Sequence, residues 1–186
     1  AMEDKALLST EVASGAEKAE LLIVIPAYNE AENIERVVNH LTANFPQYDY
    51  VVVNDGSRDE TAAICQRNGY NLLNLPVNLG LAGAFQAGLK YADKYGYQYA
   101  VQLDGDGQHR PEYLESMIKK MEEGYDIVIG SRFVGEKKPF TMRMLGSNLI
   151  ELAIRFTTGV NIKDPTSGMR MFSKRMIREF ASGLNY

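Results

Sequence analysis

Short runs of apolar residues alternate along this chain with longer segments in which apolar residues recur every three or four positions. The run at residues 21–25 predicts a buried β-strand that ends at Pro26. Apolar residues at 34, 37, 38 and 41 then lie on one face of a helix predicted over residues 31–44. Further strands are predicted over residues 50–53, 70–75, 99–103 and 126–129, with helices between them. This alternation predicts an α/β domain with a mostly parallel central sheet flanked by helices.

The pattern changes after Gly130. A helix is predicted from about Thr141 to Thr158, with polar residues spaced four apart on one side and three leucines and Phe156 on the other. We expect this helix to pack on the sheet, and the alternative is that it lies at a membrane interface. A turn and a short strand are predicted over residues 164–172, followed by a last helix from Lys174.

Polar residues follow three of the predicted parallel strands at the point where each strand ends. They are residues 26–30, Asp55 and residues 104–108. In open α/β sheets, ligands bind outside the carboxyl ends of the strands. The sequence therefore predicts one site built from these three segments.

The third segment, Asp104-Gly-Asp106-Gly-Gln108, places carboxylate and amide oxygens at a strand end beside flexible glycines. Such hard oxygen ligands suit Mg²⁺ or Mn²⁺ ions that keep positions open for phosphate oxygens. The pair of aspartates alone is a weak signal. An EF-hand would also place ligands at positions 104, 106, 108 and 115. However, His109 occupies the glycine position of that loop and Pro111 interrupts it, so we disfavour the EF-hand.

Composition and motifs narrow the class of protein to which the chain can belong. The chain has 45% hydrophobic and 24% charged residues, as an ordinary globular domain does. Its single cysteine, Cys65, cannot form an intrachain disulfide and is expected in the core. Neither a G-x-G-x-x-G loop nor a P-loop is present, which argues against a dinucleotide oxidoreductase or a P-loop enzyme.

The net charge of −4 is unevenly distributed. Residues 1–131 carry a net charge of −10, whereas residues 132–186 carry +6. The last third is thus a candidate surface for an anionic partner such as phosphate or an acidic membrane. Solvated helix faces are the alternative explanation.

Five blocks of residues occur in order along the chain. They are Pro26-Ala-Tyr-Asn-Glu30, Asn54-Asp-Gly-Ser-x-Asp59-x-Thr61, Asp104-Gly-Asp-Gly-Gln-His109, Gly130-Ser-Arg-Phe133 and Asp164-x-x-Ser-Gly-Met-Arg170. Together they resemble the inverting family 2 glycosyltransferases of GT-A fold, and more narrowly the dolichyl- and polyprenyl-phosphate sugar transferases of the dolichol-phosphate mannose synthase type. The resemblance extends from about Leu21 to Lys174.

The resemblance implies roles for individual residues. In the donor site, Pro26, Tyr28 and Glu30 would flank the base and ribose, Asp55 would hydrogen-bond the base, and Asp104 would face the nucleoside. Asp106 and Gln108 would bind the Mg²⁺ or Mn²⁺ ion on the diphosphate. Arg132, Arg143 and Ser147 would hold the phosphate of the acceptor. Asp106 and Arg132 would be the catalytic residues.

The function implied is metal-dependent, inverting transfer of a sugar from a UDP- or GDP-linked donor to a polyprenyl or dolichyl phosphate. It implies action at the cytoplasmic face of a membrane, with peripheral or C-terminal membrane association and no nucleic-acid partner. Two alternatives stay open. One is transfer to a saccharide or protein hydroxyl, for which Asp164 would be the candidate base. The other is a non-catalytic domain that binds nucleotide sugars.

Two features depart from the family pattern. Asn54 stands where many members have a second aspartate, which could alter metal or ribose contacts. The chain also ends soon after the fifth block, whereas members usually continue. We therefore expect a polar N-terminal arm at residues 1–20, followed by a GT-A domain at 21–186 that is truncated at its C-terminus.

Overall fold

The computed structural model describes residues 19–105, 111–131, 140–142 and 168–182. In these ranges the elements alternate as expected. The strands are β1 Leu21–Ala27, β2 Asp49–Asn54, β3 Leu72–Asn74, β4 Tyr99–Gln102, β5 Ile127–Ser131, β6 Phe140–Met142 and β7 Gly168–Ser173. The α-helices are α1 Ile34–Asn44, α2 Thr61–Arg67, α3 Gly80–Tyr95, α4 Leu114–Glu122 and α5 Lys174–Ser182, and a 3₁₀ turn at Pro111–Tyr113 leads into α4.

The strands form one sheet in the order β3-β2-β1-β4-β7-β5-β6. β1 pairs in parallel with β2 on one side and with β4 on the other, and β3 extends the parallel set beyond β2. β7 is antiparallel to both of its neighbours, β4 and β5, and β6 forms an antiparallel edge on β5. Five of these seven strands therefore run in the same direction, in agreement with the expected mostly parallel sheet.

β1 lies at the centre of the fold, and all seven of its residues are buried. Alternate side chains of β1 enter opposite layers: Leu21, Ile23 and Ile25 pack with α1, α2 and α4, whereas Leu22 and Val24 pack with α3 and α5. A strand covered on both faces needs a continuous apolar run, which is what residues 21–25 provide. Cys65 is buried in the first layer, and burial raises the pKa of its thiol to about 11.

One predicted helix is wrong at its start. Thr141 and Met142 belong to β6, which pairs with β5 in the register Val128 to Thr141. Unpaired backbone at the edge of β5 favours this hairpin over a helical start. The rest of that predicted helix lies outside the described residues. The short strand expected within residues 164–172 and the last helix from Lys174 are confirmed as β7 and α5. No helix in the described part of the chain has the length and apolar character needed to cross a bilayer.

Helix α3 approaches β1 closely at Gly88. A methyl group added at Gly88 would overlap Cγ1 of Val24 and lie 2.9 Å from its Cγ2. We expect Gly88→Ala to destabilise the protein by about 1–2 kcal/mol, because overpacking outweighs the better helix propensity of alanine. In a Val24→Ala background, which removes both Cγ contacts and leaves only Cβ of residue 24 at 3.1 Å, the same substitution should cost clearly less. Urea unfolding measures both free energies. A stabilising Gly88→Ala in the wild-type background would contradict this packing.

Candidate functional site

A pocket of about 250 Å³ opens at the carboxyl ends of β1, β2 and β4. It contains all five residues predicted to bind the nucleotide, and their role there stays a prediction. The lining residues are Pro26, Ala27, Tyr28, Glu30, Asp55, Leu81, Ala84, Asp104 and Gly105.

Parallel pairing brings the three strand ends together. Past the end of β2, the Asp55 N–H donates to Ala27 O at 2.9 Å, and past the end of β4 the Leu103 N–H donates to Val24 O at 2.9 Å. Gly105 then passes so near β1 that an added Cβ would lie 3.2 Å from Pro26 O. These backbone contacts between the three strand ends therefore hold the acidic residues of the pocket close together.

Asp55 is the most buried acidic residue of the pocket, with 3% of its surface exposed. Its Oδ1 accepts a hydrogen bond from the Leu79 N–H at 2.6 Å. A carboxylate held by a backbone donor has a fixed orientation. Asp55 is therefore presented to the pocket as a fixed hydrogen-bond acceptor.

Asp104 is oriented by a residue that the sequence analysis missed. Gln102, buried in β4, donates from Nε2 to Asp104 Oδ1 at 2.9 Å. The available signal was a polar residue inside an apolar strand, Val101-Gln102-Leu103. A buried amide needs a partner, and here that partner is an acidic residue of the site.

The loop of residues 28–30 between β1 and α1 is held by the segment that follows β2. Asn29 has a left-handed backbone with φ 55°, and its N–H donates to Ser57 Oγ at 3.0 Å. Its Oδ1 in turn accepts the Arg58 N–H at 2.9 Å. The Glu30 N–H donates to Thr61 Oγ1 at 2.9 Å. These cross-links fix Tyr28 and Glu30 at the pocket.

Asp59 completes this network. Its Oδ1 accepts both the backbone N–H and the hydroxyl of Thr61, and its Oδ2 accepts the Ala31 N–H at 3.1 Å. Desolvation alone would raise the pKa of Asp59, but the hydrogen bonds from Thr61 and Ala31 outweigh it and lower the pKa below its usual value. The sequence analysis placed Asp59 in the second block without assigning it a role. In the structure its carboxylate joins the second block to the segment after the first block, through its hydrogen bonds with Thr61 and Ala31.

The remaining site predictions lie outside the described residues. They concern Asp106 and Gln108 as metal ligands, Arg132, and the Arg143–Ser147 pair. Within the described ranges, no group of three His, Cys, Asp or Glu side chains is arranged to hold a metal ion. Asp104, at the end of β4, leads within two residues to Asp106, so the chain passes from the pocket directly into the predicted ligand segment.

Comparison with known proteins decides the family. Residues 22–181 match the model of glycosyl transferase family 2. The chain belongs to this family.

Relatives of this family 2 glycosyltransferase include enzymes named for lipid-phosphate acceptors. It is 32% identical over 167 residues to the polyprenol monophosphomannose synthase of Mycolicibacterium smegmatis, covering 85% of this chain and 63% of that relative. It is 32% identical to the undecaprenyl-phosphate mannosyltransferase of Micrococcus luteus, covering 85% and 68%. It is also 32% identical to the UDP-N-acetylglucosamine–dolichyl-phosphate N-acetylglucosaminyltransferase of Methanococcus voltae, covering 88% and 73%. The chain thus spans only about two thirds of these relatives.

Solved structures confirm the GT-A fold. The mannosyltransferase PcManGT from Pyrobaculum calidifontis, in complex with GDP-Man and Mn²⁺, has a TM-score of 0.51 at 20% identity over 60% of this chain and 35% of its own. The Mycobacterium tuberculosis glucosyl-3-phosphoglycerate synthase, in complex with Mn²⁺, UDP and glucosyl-3-phosphoglycerate, has a TM-score of 0.57 at 19% identity over 85% and 58%.

We predict that Thr61→Val in this family 2 glycosyltransferase lowers both stability and nucleotide affinity. Valine keeps the shape of this fully buried side chain but leaves the Glu30 N–H without its acceptor, which costs about 1–3 kcal/mol. Thr42→Val is the matched control, because the Thr42 hydroxyl bonds only carbonyls of its own helix. Chemical unfolding and nucleotide titration measure both effects. Equal losses in the two variants would contradict a role for Thr61 in the site.

The stability difference between wild type and Thr61→Val should also depend on pH. The lowered pKa of Asp59 means that its native hydrogen bonds stabilise the fold above the ordinary aspartate pKa of about 4. That contribution is lost as the pH falls through the lowered pKa. The difference should therefore be largest near neutral pH and shrink below pH of about 4.

Proposed function

We propose that this glycosyltransferase moves a sugar from a nucleoside diphosphate donor to the phosphate of a polyprenyl or dolichyl lipid. The observation that carries the proposal is that Tyr28, Glu30, Asp55 and Asp104 line one common pocket. The relatives named for polyprenol, undecaprenyl and dolichyl acceptors support the lipid phosphate. In this proposal residues 21–186 form the catalytic domain, preceded by an arm at residues 1–20.

The described part of the site has the chemical groups needed to bind a nucleoside. Uracil and guanine both carry a ring N–H, and the Asp55 carboxylate is a fixed acceptor for it. Tyr28 and Leu81 are 43% and 56% exposed at the pocket, so an aromatic ring and an apolar side chain are available to the faces of a base. Either UDP or GDP donors are compatible with this arrangement.

Asp106 and Gln108 are the residues that we propose to hold a divalent cation, Mg²⁺ or Mn²⁺. Their oxygens are of the type both ions prefer, and Asp104 just before them belongs to the pocket. When bound, such an ion neutralises charge that develops on the departing nucleoside diphosphate. Glu30, Asp55 and Asp104 add negative charge to the pocket, so binding an anionic donor requires a compensating positive charge nearby.

The acceptor phosphate requires positively charged residues that position it, and it does not require a general base to deprotonate it. A phosphate monoester loses its second proton with a pKa of about 6, so it is largely dianionic near neutral pH and already nucleophilic. We propose that Arg132, Arg143 and Ser147 orient it for an in-line displacement that inverts the anomeric carbon. The net charge of +6 over residues 132–186 supports binding of an anionic lipid headgroup at the cytoplasmic face of a membrane.

The donor can be tested first by a thermal-shift screen of UDP and GDP, each with and without Mn²⁺. We expect one nucleotide to raise Tm and Mn²⁺ to enhance the shift. Stabilisation without turnover in a sugar-transfer assay would favour the non-catalytic alternative. A product formed only on a saccharide or protein hydroxyl would contradict a lipid-phosphate acceptor.

Asp106→Asn should reduce turnover by at least about a hundredfold, because it replaces a charged ligand of the ion that stabilises the leaving group with a neutral amide. The measurement is the rate of sugar transfer to a polyprenyl phosphate at saturating Mn²⁺. A rate near that of wild type would contradict the metal assignment.

Arg143→Ala should chiefly raise KM for the lipid phosphate, by about tenfold, and leave nucleotide affinity unchanged. Arg178→Ala is a control of equal charge change, because Arg178 is an exposed residue of α5 near Asp93. Steady-state kinetics with varied acceptor separate the two variants. Unchanged acceptor kinetics in Arg143→Ala would remove this residue from the proposal.

A further inference from the structure

Asn54 does not face the pocket, although it precedes Asp55 and replaces an aspartate of the family pattern. Asn54 is 3% exposed, is not among the residues that line the pocket, and makes two side-chain hydrogen bonds to residues that do not line it either. Its Nδ2 donates to Asn74 Oδ1 at 2.6 Å, and its Oδ1 accepts the Ser57 N–H at 3.3 Å. The residue that differs from the family pattern therefore lies next to the pocket and is not part of its lining.

The orientation of the Asn54 amide follows from its partners. A backbone N–H can only donate, so the Asn54 atom facing Ser57 must be the oxygen. The NH₂ group then faces Asn74, which must present its own oxygen. The pair is thus a directed hydrogen bond from Asn54 to Asn74, and an acceptor is required at residue 74.

This bond joins two segments that together orient Asp55. The Leu75 N–H donates to Asn54 O at 2.9 Å where β2 and β3 end. Gly56, with φ 66°, then packs so tightly that an added Cβ would lie 2.6 Å from the Asn78 nitrogen. The same segment supplies the Leu79 N–H that holds the Asp55 carboxylate at 2.6 Å. Any shift of residues 74–79 relative to the turn at 54–57 therefore moves the donor that fixes Asp55.

A neutral amide suits this position better than a second carboxylate. Asp55 is already a buried acid, and an aspartate at residue 54 would put a like charge beside it with little solvent. Like an aspartate, Asn54 can accept the Ser57 N–H. Unlike an aspartate, it also donates to Asn74 and adds no charge.

We infer that Asn54 and Asn74 are positioning residues for base recognition: their hydrogen bond holds the segment that orients Asp55. The inference rests on the proposed function, because it assigns the base of the donor to Asp55. It extends that function to the choice of base. The ring N–H lies at different positions relative to the ribose in uracil (N3) and guanine (N1), so a fixed orientation of Asp55 favours one base, and the residue pair that fixes this orientation lies outside the pocket lining.

The test measures the dissociation constants of UDP and GDP by calorimetry with Mn²⁺, together with Tm. Asn74→Ala removes the acceptor, whereas Asn74→Asp keeps it. Asn71→Ala is the matched control: Asn71 also donates from its amide to β2, at Tyr50 O, but at the opposite end of the strand pair.

We expect Asn74→Ala to weaken the preferred nucleotide roughly tenfold, the effect of one misaligned charge-assisted hydrogen bond, and to bring the UDP-to-GDP affinity ratio closer to one. Asn74→Asp should restore both values to within about twofold. Asn71→Ala should lower Tm without changing the ratio, because a general loss of stability weakens both nucleotides alike.

A second comparison tests the direction of the bond. Asn54→Asp alone should weaken nucleotide binding less than Asn74→Ala does: the added carboxylate lies near Asp55, but the Asn74 amide can rotate to donate to it. Combined with Asn74→Asp, it places two carboxylates face to face, so the loss of affinity should exceed the sum of the single effects. Part of it should return as the pH is lowered and the pair shares a proton.

An unchanged affinity ratio in Asn74→Ala would overturn the inference, as would an equal change in Asn71→Ala. Additive effects of the two aspartate substitutions would do the same. If wild type bound neither nucleotide, the proposed function itself would fail and the role of Asn54 with it. Binding by wild type together with a normal Asn74→Ala variant would reject only the positioning pair.

Discussion

The structure depends on one constraint, the parallel pairing of β1 with a strand on each side. β1 is buried on both faces and hydrogen-bonded along both edges, so its carboxyl end can only lie between the ends of β2 and β4. Residues that are far apart in sequence, such as Tyr28, Asp55 and Asp104, are adjacent for this reason alone. The apolar run at residues 21–25 thus determines the location of the site, although none of its side chains has the chemistry to act there.

The polar network around the pocket depends in turn on this strand pairing. Each of the acidic residues Asp55, Asp59 and Asp104 accepts hydrogen bonds from donors of the protein, so its orientation is set before any ligand arrives. Such preorganisation reduces the cost of ordering side chains on binding. The three acidic residues have different roles in this network. Asp59 joins two loops, whereas Asp55 and Asp104 line the cavity.

Much of the fold, and the meeting of five predicted residues in one pocket, could be predicted from the sequence. Apolar periodicity identified the strands and helices up to Ser131, and the rule for ligands at strand ends grouped the five residues predicted to bind the nucleotide. Periodicity could not identify β6, because residues 140–142 form a strand only by pairing with β5. Nor could it show that Gln102 donates to Asp104 or that Asn54 donates to Asn74, since both bonds depend on which side chains the folded sheet brings together.

The position of β7 has a consequence for how the chain folds. This strand comes from residues 168–173 yet lies between β4 and β5, and it is the only described strand that links the β5–β6 hairpin to the rest of the sheet. Until those residues have been synthesised, β4 has an open edge and the hairpin has no neighbour. Pairing over such long sequence separations is slow, and an open apolar edge promotes association with other chains. A ribosome-bound chain that has not reached residue 168 would therefore present that edge to chaperones.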